Sequence, residues 1–520
     1  SLRFDLMTAA YFTLPALVLT LVCLFTKFRL TGLKKWYGIF IVLVSIVIVV
    51  VNVGFFSEYQ SQYNHWVFGI IFDDRKAILS TIWKQYPIVW IILGTSAAIA
   101  LIAWGFQKLF ARTEKLAEPS FMKYLPARAF VALAALFVCV TLMRGGKLSG
   151  RPLQARDFVV TNSDFLNGIV PSPAFCLKQE IKKLLTATFA KNGDFKPEEL
   201  KGFADTLYGD CGSLDLREIL KKHTAKAALP QKPSHVFFII GEGYTAWPTF
   251  EDMRHYNLMP QTLRLAKTFP FSNTVLATGG GTMDSTAAFI SGIPYCSLPG
   301  GAYHKGASDF SPAKFMRQLG YETFFYYGGH MSWHDVGNFA KNNFFQNIVG
   351  GEKMSADFGQ VEWGVRDAEL FDFILAQQRD TASFNLILTV SNHPPFDVDL
   401  EKEGCPNPLS DPHDRKLQHH WYADKEIGRF IDSILKKYPD AIVIVTGDHA
   451  ARIYPKELEF TARMSNLVPL LIAGELATRS ELPRTIGAIS WMDAIPTLID
   501  LCAPQGFEYA AWGHSLLSKD

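Results

Sequence analysis

Long apolar runs dominate the first 143 residues of the chain, separated by short polar stretches. Four runs carry no charged residue, and these are Leu6–Thr26, Tyr37–Phe56, Tyr86–Phe106 and Ala129–Met143. An apolar stretch of about 20 residues is long enough to cross a bilayer as a helix. A buried helix of a soluble core could explain one such run, but it explains four in series poorly. The pattern therefore predicts a transmembrane bundle over residues 1–143.

Basic residues cluster in two of the connecting loops. They are Lys27, Arg29, Lys34 and Lys35 in the first loop and Lys108, Arg112, Lys115, Lys123 and Arg128 in the third. Positive charge next to a span marks the cytoplasmic side of the membrane. We therefore expect loop 57–85 and everything after Met143 to lie outside the cytoplasm. The composition of loop 57–85 fits either a position on the membrane surface or packing against the helices. The same rule places Ser1 outside, so we expect a further helix upstream of this chain.

The pattern changes twice after the last apolar run. Residues 144–230 are polar with helical stretches, and they predict a linker that connects the membrane to a globular domain. From residue 231 to 520, short apolar runs alternate with amphipathic segments, which is typical of an α/β domain with a largely parallel sheet. The expected strands are His235–Ile240, Thr323–Tyr327, Asn385–Val390, Ala441–Thr446 and Val468–Ile472.

Side chains that bind metals or exchange protons follow four of these five strands. They are Glu242, His330 with His334, His393, and Asp448 with His449. Open α/β sheets bind ligands just outside the carboxyl ends of their strands. Any one of these residues is most simply an ordinary loop residue, but together they predict a functional site at one edge of the sheet.

A glycine-rich stretch adds a hydroxyl to this set. Residues 279–281 are all glycine and lead directly into Thr282, which precedes the helix-compatible run Ser285–Ile290. Taken alone, this is an ordinary glycine loop with a threonine cap. Two carboxylates and an imidazole, from Glu242, Asp448 and His449, suit a divalent cation. The Thr282 hydroxyl would complete a four-ligand shell and would be activated there as a nucleophile.

These motifs resemble the lipoteichoic acid synthase group, which comprises membrane-anchored phosphoglycerol transferases of the alkaline phosphatase and sulfatase superfamily. The resemblance covers nearly the whole chain. Its most specific parts are the glycine turn at Thr282, Ser391–Phe396 and Thr446–His449, and Trp363–Asp367 and Gly513–Leu517 also look like landmarks of the family. It implies a multi-pass protein of the bacterial inner membrane, in which an N-terminal helical bundle carries an extracytoplasmic α/β domain of alkaline phosphatase/sulfatase type.

The resemblance also implies roles for individual residues. Thr282 would be the nucleophile, and Glu242, Asp448, His449 and Thr282 would bind one divalent metal. Mn²⁺ is favoured for this site, and Zn²⁺ and Mg²⁺ remain open. His393 would contact the substrate phosphate as a hydrogen-bond donor or proton shuttle, which suits an imidazole because it exchanges protons near neutral pH.

The segment that follows the second predicted strand does not determine which head group is transferred. The resemblance places Trp333, His330 and His334 in the head-group pocket, but Asp335 and Val336 stand where the lipoteichoic acid synthases have an arginine. Phosphoglycerol from phosphatidylglycerol is the first expectation, with a glycan or glycolipid of the envelope as acceptor. A phosphoethanolamine transferase acting on phosphatidylethanolamine and an inactive envelope scaffold are the alternatives.

Composition narrows the remaining possibilities. The net charge of +2 gives no indication of a nucleic-acid partner. The sulfatase nucleophile motif is absent, since the segment Cys296–Gly300 has the wrong spacing and no arginine. Cys176–Cys211 and Cys296–Cys405 are candidate disulfides, which an oxidising compartment permits, but spacing alone does not determine connectivity.

Overall fold

A computed structural model provides the fold of the chain. It describes residues 2–517 apart from 27, 29, 60, 73–74, 114–122, 147–152, 155–156, 158–159, 162–163, 190–196, 210–211, 225–228, 230, 278, 280, 295–305, 356–361, 378–379, 407–411, 452 and 456–465. The chain divides into two compact units. One unit comprises residues 1–70 and 82–189, and the other comprises residues 71–81 and 190–520. The prediction of a separate linker over 144–230 stays a prediction.

Helices make up the first part of the chain. They are α1 Leu2–Phe25, α2 Thr31–Tyr59, α3 Gly69–Phe72, α4 Arg75–Gln85, α5 Ile88–Thr113, α6 Leu125–Met143, α7 Asp164–Gly168 and α8 Pro173–Phe189, with a 3₁₀ helix at His65–Phe68. Four of them, α1, α2, α5 and α6, are long and apolar enough to cross a membrane. The four predicted spans are therefore confirmed as helices of suitable length and composition.

Many apolar side chains of these four helices are exposed to the surroundings. Trp90 is 75% exposed and Phe130 is 73% exposed, which would be unfavourable in water and is expected against lipid. The start of the loop after α2 packs back onto that helix, because the buried Tyr63 hydroxyl donates to the Ile48 carbonyl at 2.8 Å. The position of the rest of loop 57–85 stays a prediction.

The described residues of the second unit form ten strands in two sheets. They are β1 Lys221–His223, β2 His235–Gly241, β3 Phe271–Leu276, β4 Glu322–Tyr327, β5 Asn347–Gly350, β6 Ser383–Leu388, β7 Ile442–Gly447, β8 Leu467–Ala473, β9 Ile489–Ser490 and β10 Glu508–Ala510. The large sheet has the order β5-β4-β6-β2-β7-β8-β3-β9, and β1 pairs with β10 in a small antiparallel ribbon. All five predicted strands are present, and each lies in the large sheet.

The sheet is parallel except at one strand. Strand β8 runs antiparallel to both of its neighbours, β7 and β3, so the fifth predicted strand points away from the edge that the other four share. Strands β3, β5 and β9 were not predicted. The polar residues Ser272, Asn273 and Thr274 interrupt the apolar run of β3, so its sequence lacks the continuous hydrophobicity of a strand buried on both faces.

Helices cover both faces of the large sheet. The helices described in the second unit are α9 Pro197–Tyr208, α10 Leu216–Ile219, α11 Pro260–Leu265, α12 Thr282–Ser291, α13 Pro312–Gln318, α14 Val336–Asn342, α15 Asp367–Gln377, α16 Pro412–Leu417, α17 His419–Lys437, α18 Glu475–Arg479 and α19 Ala494–Cys502. On one face, α15 and α17 pack onto Phe237 of β2 through Phe371 and Phe430. On the other face, Phe238 contacts Phe289 of α12.

The predicted disulfides cannot be located in this structure. Cys211 and Cys296 lie outside the described residues, so neither predicted pair is tested. Cys139 is buried in α6, as expected for a cysteine that serves as a small apolar side chain.

Candidate active site

Two neighbouring parallel strands bring the first two acidic residues together. Gly241 at the end of β2 pairs with Gly447 at the end of β7, so the next residues of the chain, Glu242 and Asp448, begin side by side. Both strands are continuous apolar runs buried on both faces, which fixes where the strands end and the polar loops start. The carboxylates therefore stand at the carboxyl edge of the sheet, where the sequence placed them.

The threonine reaches the same edge by a route that crosses β8. Strand β3 is antiparallel to β8, which is antiparallel to β7, so β3 ends at the same edge as β7. Helix α12 then begins at Thr282, with Gly281 as its N-cap and no side-chain capping bond. A Cβ on Gly279 would approach the Ser285 hydroxyl to 2.6 Å, so this glycine allows the loop to pack over the first turn of the helix.

The four predicted metal ligands lie in contact with one another. Thr282 Oγ1 donates to Glu242 Oε2 at 3.0 Å and lies 3.3 Å from His449 Nε2. His449 Nε2 is 3.5 Å from Glu242 Oε1 and 3.4 Å from Asp448 Oδ2. One ligand atom from each of Glu242, Asp448 and His449 falls within 4.8 Å of the others, and all three residues are buried. This group could hold a metal ion.

The two carboxylates are crowded into a buried place with little compensating charge. Burial raises the pKa of Asp448 to about 7, and the neighbouring Glu242 carboxylate acts in the same direction. Burial would also raise the pKa of Glu242, but its interactions with the His449 and His393 imidazoles and the hydrogen bond from Thr282 outweigh burial and lower that pKa to about 2. In the described part of the chain, the only basic side chain paired with either carboxylate is His449.

A divalent cation fits the residues that are present. Asp448 Oδ1 accepts from the backbone N–H groups of Gly243 and His449 at 2.8 and 2.7 Å, whereas its buried Oδ2 accepts no hydrogen bond from the described residues. His449 Nδ1 lies 2.9 Å from the Ala450 carbonyl and must donate to it, which leaves a lone pair on Nε2. The orphaned Asp448 oxygen and the lone pair on His449 Nε2 are the kinds of donor atom that a divalent cation requires.

His393 lies in the loop that follows β6, the strand next to β2. Its Nδ1 is 2.6 Å from the Pro394 carbonyl, and because a carbonyl only accepts, Nδ1 carries the proton. The neutral ring then has its lone pair on Nε2, which is the atom left for exchange with a substrate. The preceding residue, Asn392, donates to the Glu242 carbonyl at 3.2 Å, so the loop that carries His393 lies beside the cluster.

The predicted head-group residues follow β4, two strands from β2. Strand spacing places this loop about 10 Å along the edge from Glu242. His330 is exposed, and Trp333 is half-buried with its ring 5.6 Å from that of Tyr327. His334 and Asp335 have φ values of 46° and 58°, a left-handed conformation that is rare for two successive non-glycine residues. Such strain is common in loops that bind ligands.

Two supporting residues had no role assigned from the sequence. Asn392 Nδ2 donates to the carbonyls of Glu242 and Gly243 at 3.2 and 3.3 Å, and it lies 2.9 Å from His420 Nδ1. Thr389 Oγ1 accepts from the Glu242 N–H at 3.0 Å. Both residues lie at the end of β6, and Asn392 belongs to a motif already singled out, so its position beside His393 was the available signal.

An α/β sheet whose edge gathers two carboxylates, an imidazole and a threonine hydroxyl defines a candidate metal-dependent enzyme of phosphate or sulfate esters. The sequence model of the family described as Sulfatase matches residues 234–503, just over half of the chain. The chain therefore belongs to the sulfatase family. The match covers every predicted site residue, and it confirms the resemblance to the alkaline phosphatase and sulfatase superfamily.

Solved structures with similar folds include membrane enzymes. Lipooligosaccharide phosphoethanolamine transferase A (EptA), an integral membrane protein from Neisseria meningitidis, is 13% identical with a TM-score of 0.54 and covers 96% of this chain and 95% of that chain. This similarity extends the shared fold through the N-terminal helices. The N-terminal helices and the C-terminal α/β domain therefore share the fold of that integral membrane protein.

Two further structural similarities, with lower TM-scores, involve a lipoteichoic acid synthase and a phosphoglycerol transferase. The lipoteichoic acid synthase LtaP from Listeria monocytogenes is 17% identical with a TM-score of 0.47, and covers 61% of this chain and 81% of that chain. The phosphoglycerol transferase GacH from Streptococcus pyogenes, solved with sn-glycerol-1-phosphate, is 16% identical with a TM-score of 0.39, and covers 60% of this chain and 84% of that chain.

Proposed function

We propose that this chain transfers phosphoglycerol from phosphatidylglycerol to a glycan or glycolipid of the bacterial envelope through a phosphothreonine at Thr282. The observation that carries the proposal is the position of Thr282 Oγ1, at the start of α12 and 3.0 Å from Glu242 Oε2. A hydroxyl placed between a cation site and a helix N-terminus is suited to attack phosphorus. Membrane helices suit a lipid donor, because the enzyme need not extract two acyl chains into water.

The reaction proceeds in two displacements. Thr282 Oγ attacks the phosphorus of the lipid head group, the bond to the glyceride oxygen breaks, and diacylglycerol leaves. His393 Nε2 accepts the proton that the Thr282 hydroxyl releases and gives it to the departing oxygen. A hydroxyl of the acceptor then attacks phosphothreonine and gives its proton to the same nitrogen. The Thr282 oxygen leaves phosphorus, takes that proton and is restored as a hydroxyl. Each step replaces one phosphodiester bond with another. The reaction therefore consumes no water and needs no separate energy source.

Chain groups and a cation divide the stabilisation of charge between them. The cation would be held by Glu242, Asp448, His449 and Thr282. Its positive charge would favour ionisation of the Thr282 hydroxyl and would stabilise the negative charge on the phosphoryl oxygens. The first N–H groups of α12 lack a side-chain cap, and their partial positive charge favours the same oxygens. Mn²⁺ is the metal favoured for this site, with Zn²⁺ and Mg²⁺ as alternatives.

Phosphoethanolamine is the alternative group for transfer from phosphatidylethanolamine. The observation in its favour is Asp335, an exposed acid directly after His334 in the proposed head-group segment. A carboxylate there complements an ammonium group better than it complements neutral glycerol. The fold shared with EptA over nearly the whole chain is compatible with this alternative.

Intact-protein mass spectrometry tests the proposal and its alternative together. The full chain in detergent would be incubated with Mn²⁺ and either phosphatidylglycerol or phosphatidylethanolamine, with Thr282→Ala as the control. A Thr282-dependent adduct of glycerol phosphate mass supports the proposal, and an ethanolamine phosphate adduct supports the alternative. If neither lipid yields an adduct or diacylglycerol, the lipid-donor function is wrong and an inactive scaffold becomes the better hypothesis.

A further inference from the structure

The indole of Trp363 contacts both His393 and the carbonyl that holds it. Trp363 Nε1 donates to the Pro394 carbonyl at 2.8 Å, the same oxygen that accepts from His393 Nδ1 at 2.6 Å. The indole and imidazole centroids are 4.4 Å apart, with the rings inclined at 51°. The Trp363 side chain therefore holds the Pro394 carbonyl, which accepts the His393 proton, and it also packs against the His393 imidazole.

Asp367, four residues after Trp363, is hydrogen-bonded to the loop that carries His393. Asp367 Oδ1 accepts from the Ser391 hydroxyl at 2.7 Å and from the Ser391 and Val390 N–H groups at 3.1 and 3.3 Å. The Ser391 hydroxyl in turn accepts from the Asp367 N–H at 2.8 Å. Asp367 is fully buried at the start of α15, so these bonds are protected from water.

The segment between these two residues is itself immobilised against β4. The Val365 N–H donates to the Gly328 carbonyl at 2.9 Å, and Val365 is fully buried. Gly364 has a φ of 154°, and a Cβ on it would overlap that same carbonyl oxygen. Only glycine allows the chain to pass so closely over the end of β4. Segment 363–367 is therefore held in place by its own contacts and can support the loop that carries His393.

We propose that Trp363 and Asp367 are positioning residues that hold His393 with its proton on Nδ1 and its Nε2 directed to the reacting oxygen. This inference rests on the proposed function, because it takes His393 as the residue that moves the proton. Without the indole N–H, the Pro394 carbonyl loses its second partner and the imidazole loses a packing surface. The neutral ring can then turn or change tautomer, and the fraction of rings with a lone pair correctly placed on Nε2 falls.

Trp363→Phe is the central variant, because it keeps an aromatic ring and removes only the N–H and part of the surface. Trp512→Phe is the matched control, since the half-buried Trp512 has no hydrogen-bond partner for Nε1 among the described residues. Asp367→Leu removes the acceptor for Ser391, and Asp367→Asn restores one. His393→Gln gives the background in which the support has nothing left to position.

The kinetic measurement uses the full chain and two donors with different leaving groups. Diacylglycerol leaves as a strongly basic alkoxide that needs a proton, whereas p-nitrophenol leaves from a phosphodiester without one. We expect Trp363→Phe to lower kcat for the lipid about ten-fold, with little change in KM. This loss is smaller than the roughly 100-fold or greater loss of kcat expected when a general acid is removed completely. The p-nitrophenyl ester should be cleaved nearly as before. In the His393→Gln background, Trp363→Phe should cause no further loss.

Amide hydrogen exchange of segment 390–396 gives a second readout that needs no turnover. We expect faster exchange there in Trp363→Phe and Asp367→Leu, near-normal exchange in Asp367→Asn, and no change in Trp512→Phe. Unchanged exchange, equal losses on both donors, or losses that add to those of His393→Gln would each overturn the inference. If the unaltered chain turns over no lipid but the exchange differences remain, the proposed function has failed and the support of the loop stands.

Discussion

Ser285 Oγ donates a hydrogen bond of 2.6 Å to the backbone carbonyl of Asp448, and both groups are buried. This bond ties the first turn of α12 to the end of β7. The helix that begins with the proposed nucleophile and the strand that precedes the proposed ligands are therefore joined directly. A four-residue constellation drawn from three distant parts of the chain is held together by backbone contacts as well as by its own side chains.

The Thr282 hydroxyl is expected to be essential, and a smaller hydroxyl residue should partly replace it. Thr282→Ala removes the contacts to Glu242 and His449 and should abolish both the covalent adduct and lipid turnover. Thr282→Ser keeps the oxygen but frees its rotation, so we expect activity reduced by about ten-fold. Thr478→Ala, which removes an exposed hydroxyl elsewhere, should behave as the unaltered chain in both assays. An adduct of unchanged mass in Thr282→Ala would exclude this residue as the nucleophile.

Metal binding should stabilise the protein, whether or not a substrate is found. A ligand at 100 times its dissociation constant stabilises the folded state by about 2.7 kcal/mol. We expect the melting temperature of chelator-treated full chain to rise when Mn²⁺ is added, and we expect a smaller rise in Asp448→Asn, which replaces a buried carboxylate oxygen. The exposed Asp252→Asn serves as the matched control. Parallel titrations with Zn²⁺ and Mg²⁺ rank the three metals, and equal rises in Asp448→Asn and the unaltered chain would contradict this site.

Gly447→Ala should weaken the metal site without changing any ligand. Gly447 ends β7 directly before Asp448, and a Cβ there would overlap the Tyr244 carbonyl oxygen and press on Val468. The backbone must shift to relieve the overlap, which typically costs about 1–3 kcal/mol and would move Asp448 relative to Glu242. Calorimetric titration should show Mn²⁺ affinity reduced about ten-fold or more. Gly487→Ala, where an added Cβ meets nothing within 4 Å, should leave the affinity unchanged.

Acid should destabilise the α/β unit through two buried histidines. Burial lowers the pKa of His419 to about 4, and burial together with the charge of His419 lowers that of His420 to about 3. Both folded-state values lie below the ordinary value of about 6.5, so the stabilisation is complete above pH 6.5 and is lost as the pH falls towards 4. Each histidine contributes at most about 3 kcal/mol to this loss at pH 4.

Thermal melting across pH 4 to 8 measures this effect. His420→Gln keeps an acceptor for Asn392 but cannot be protonated, so its melting temperature should fall less between pH 7 and pH 4 than that of the unaltered chain. The exposed His255→Gln should retain the full pH dependence. If His420→Gln showed the same acid sensitivity as the control, His420 would not be a source of it.

The local pattern of the sequence predicted the parts of the fold that depend on continuous hydrophobicity. Four uncharged runs became four helices of spanning length, because a helix in lipid must be apolar along its whole length. Strands β2 and β7 are equally continuous, since helices bury both faces of a parallel sheet. Glu242 and Asp448 could therefore be placed at strand ends from the sequence alone, and their types already favoured a cation.

Tertiary structure decided which of the polar residues meet and what supports them. The interrupted run of β3 forms a strand only because β8 and β9 pair with it, and this pairing carries Thr282 back to the edge where β7 ends. The hold of Trp363 and Asp367 on the loop of His393 depends on contacts across more than 20 residues of chain. Hydrogen bonds and register between distant segments leave no periodic trace in a sequence. The types of the site residues and their shared sheet edge could therefore be predicted, but the route of β3 and the contacts that support the His393 loop are visible only in the fold.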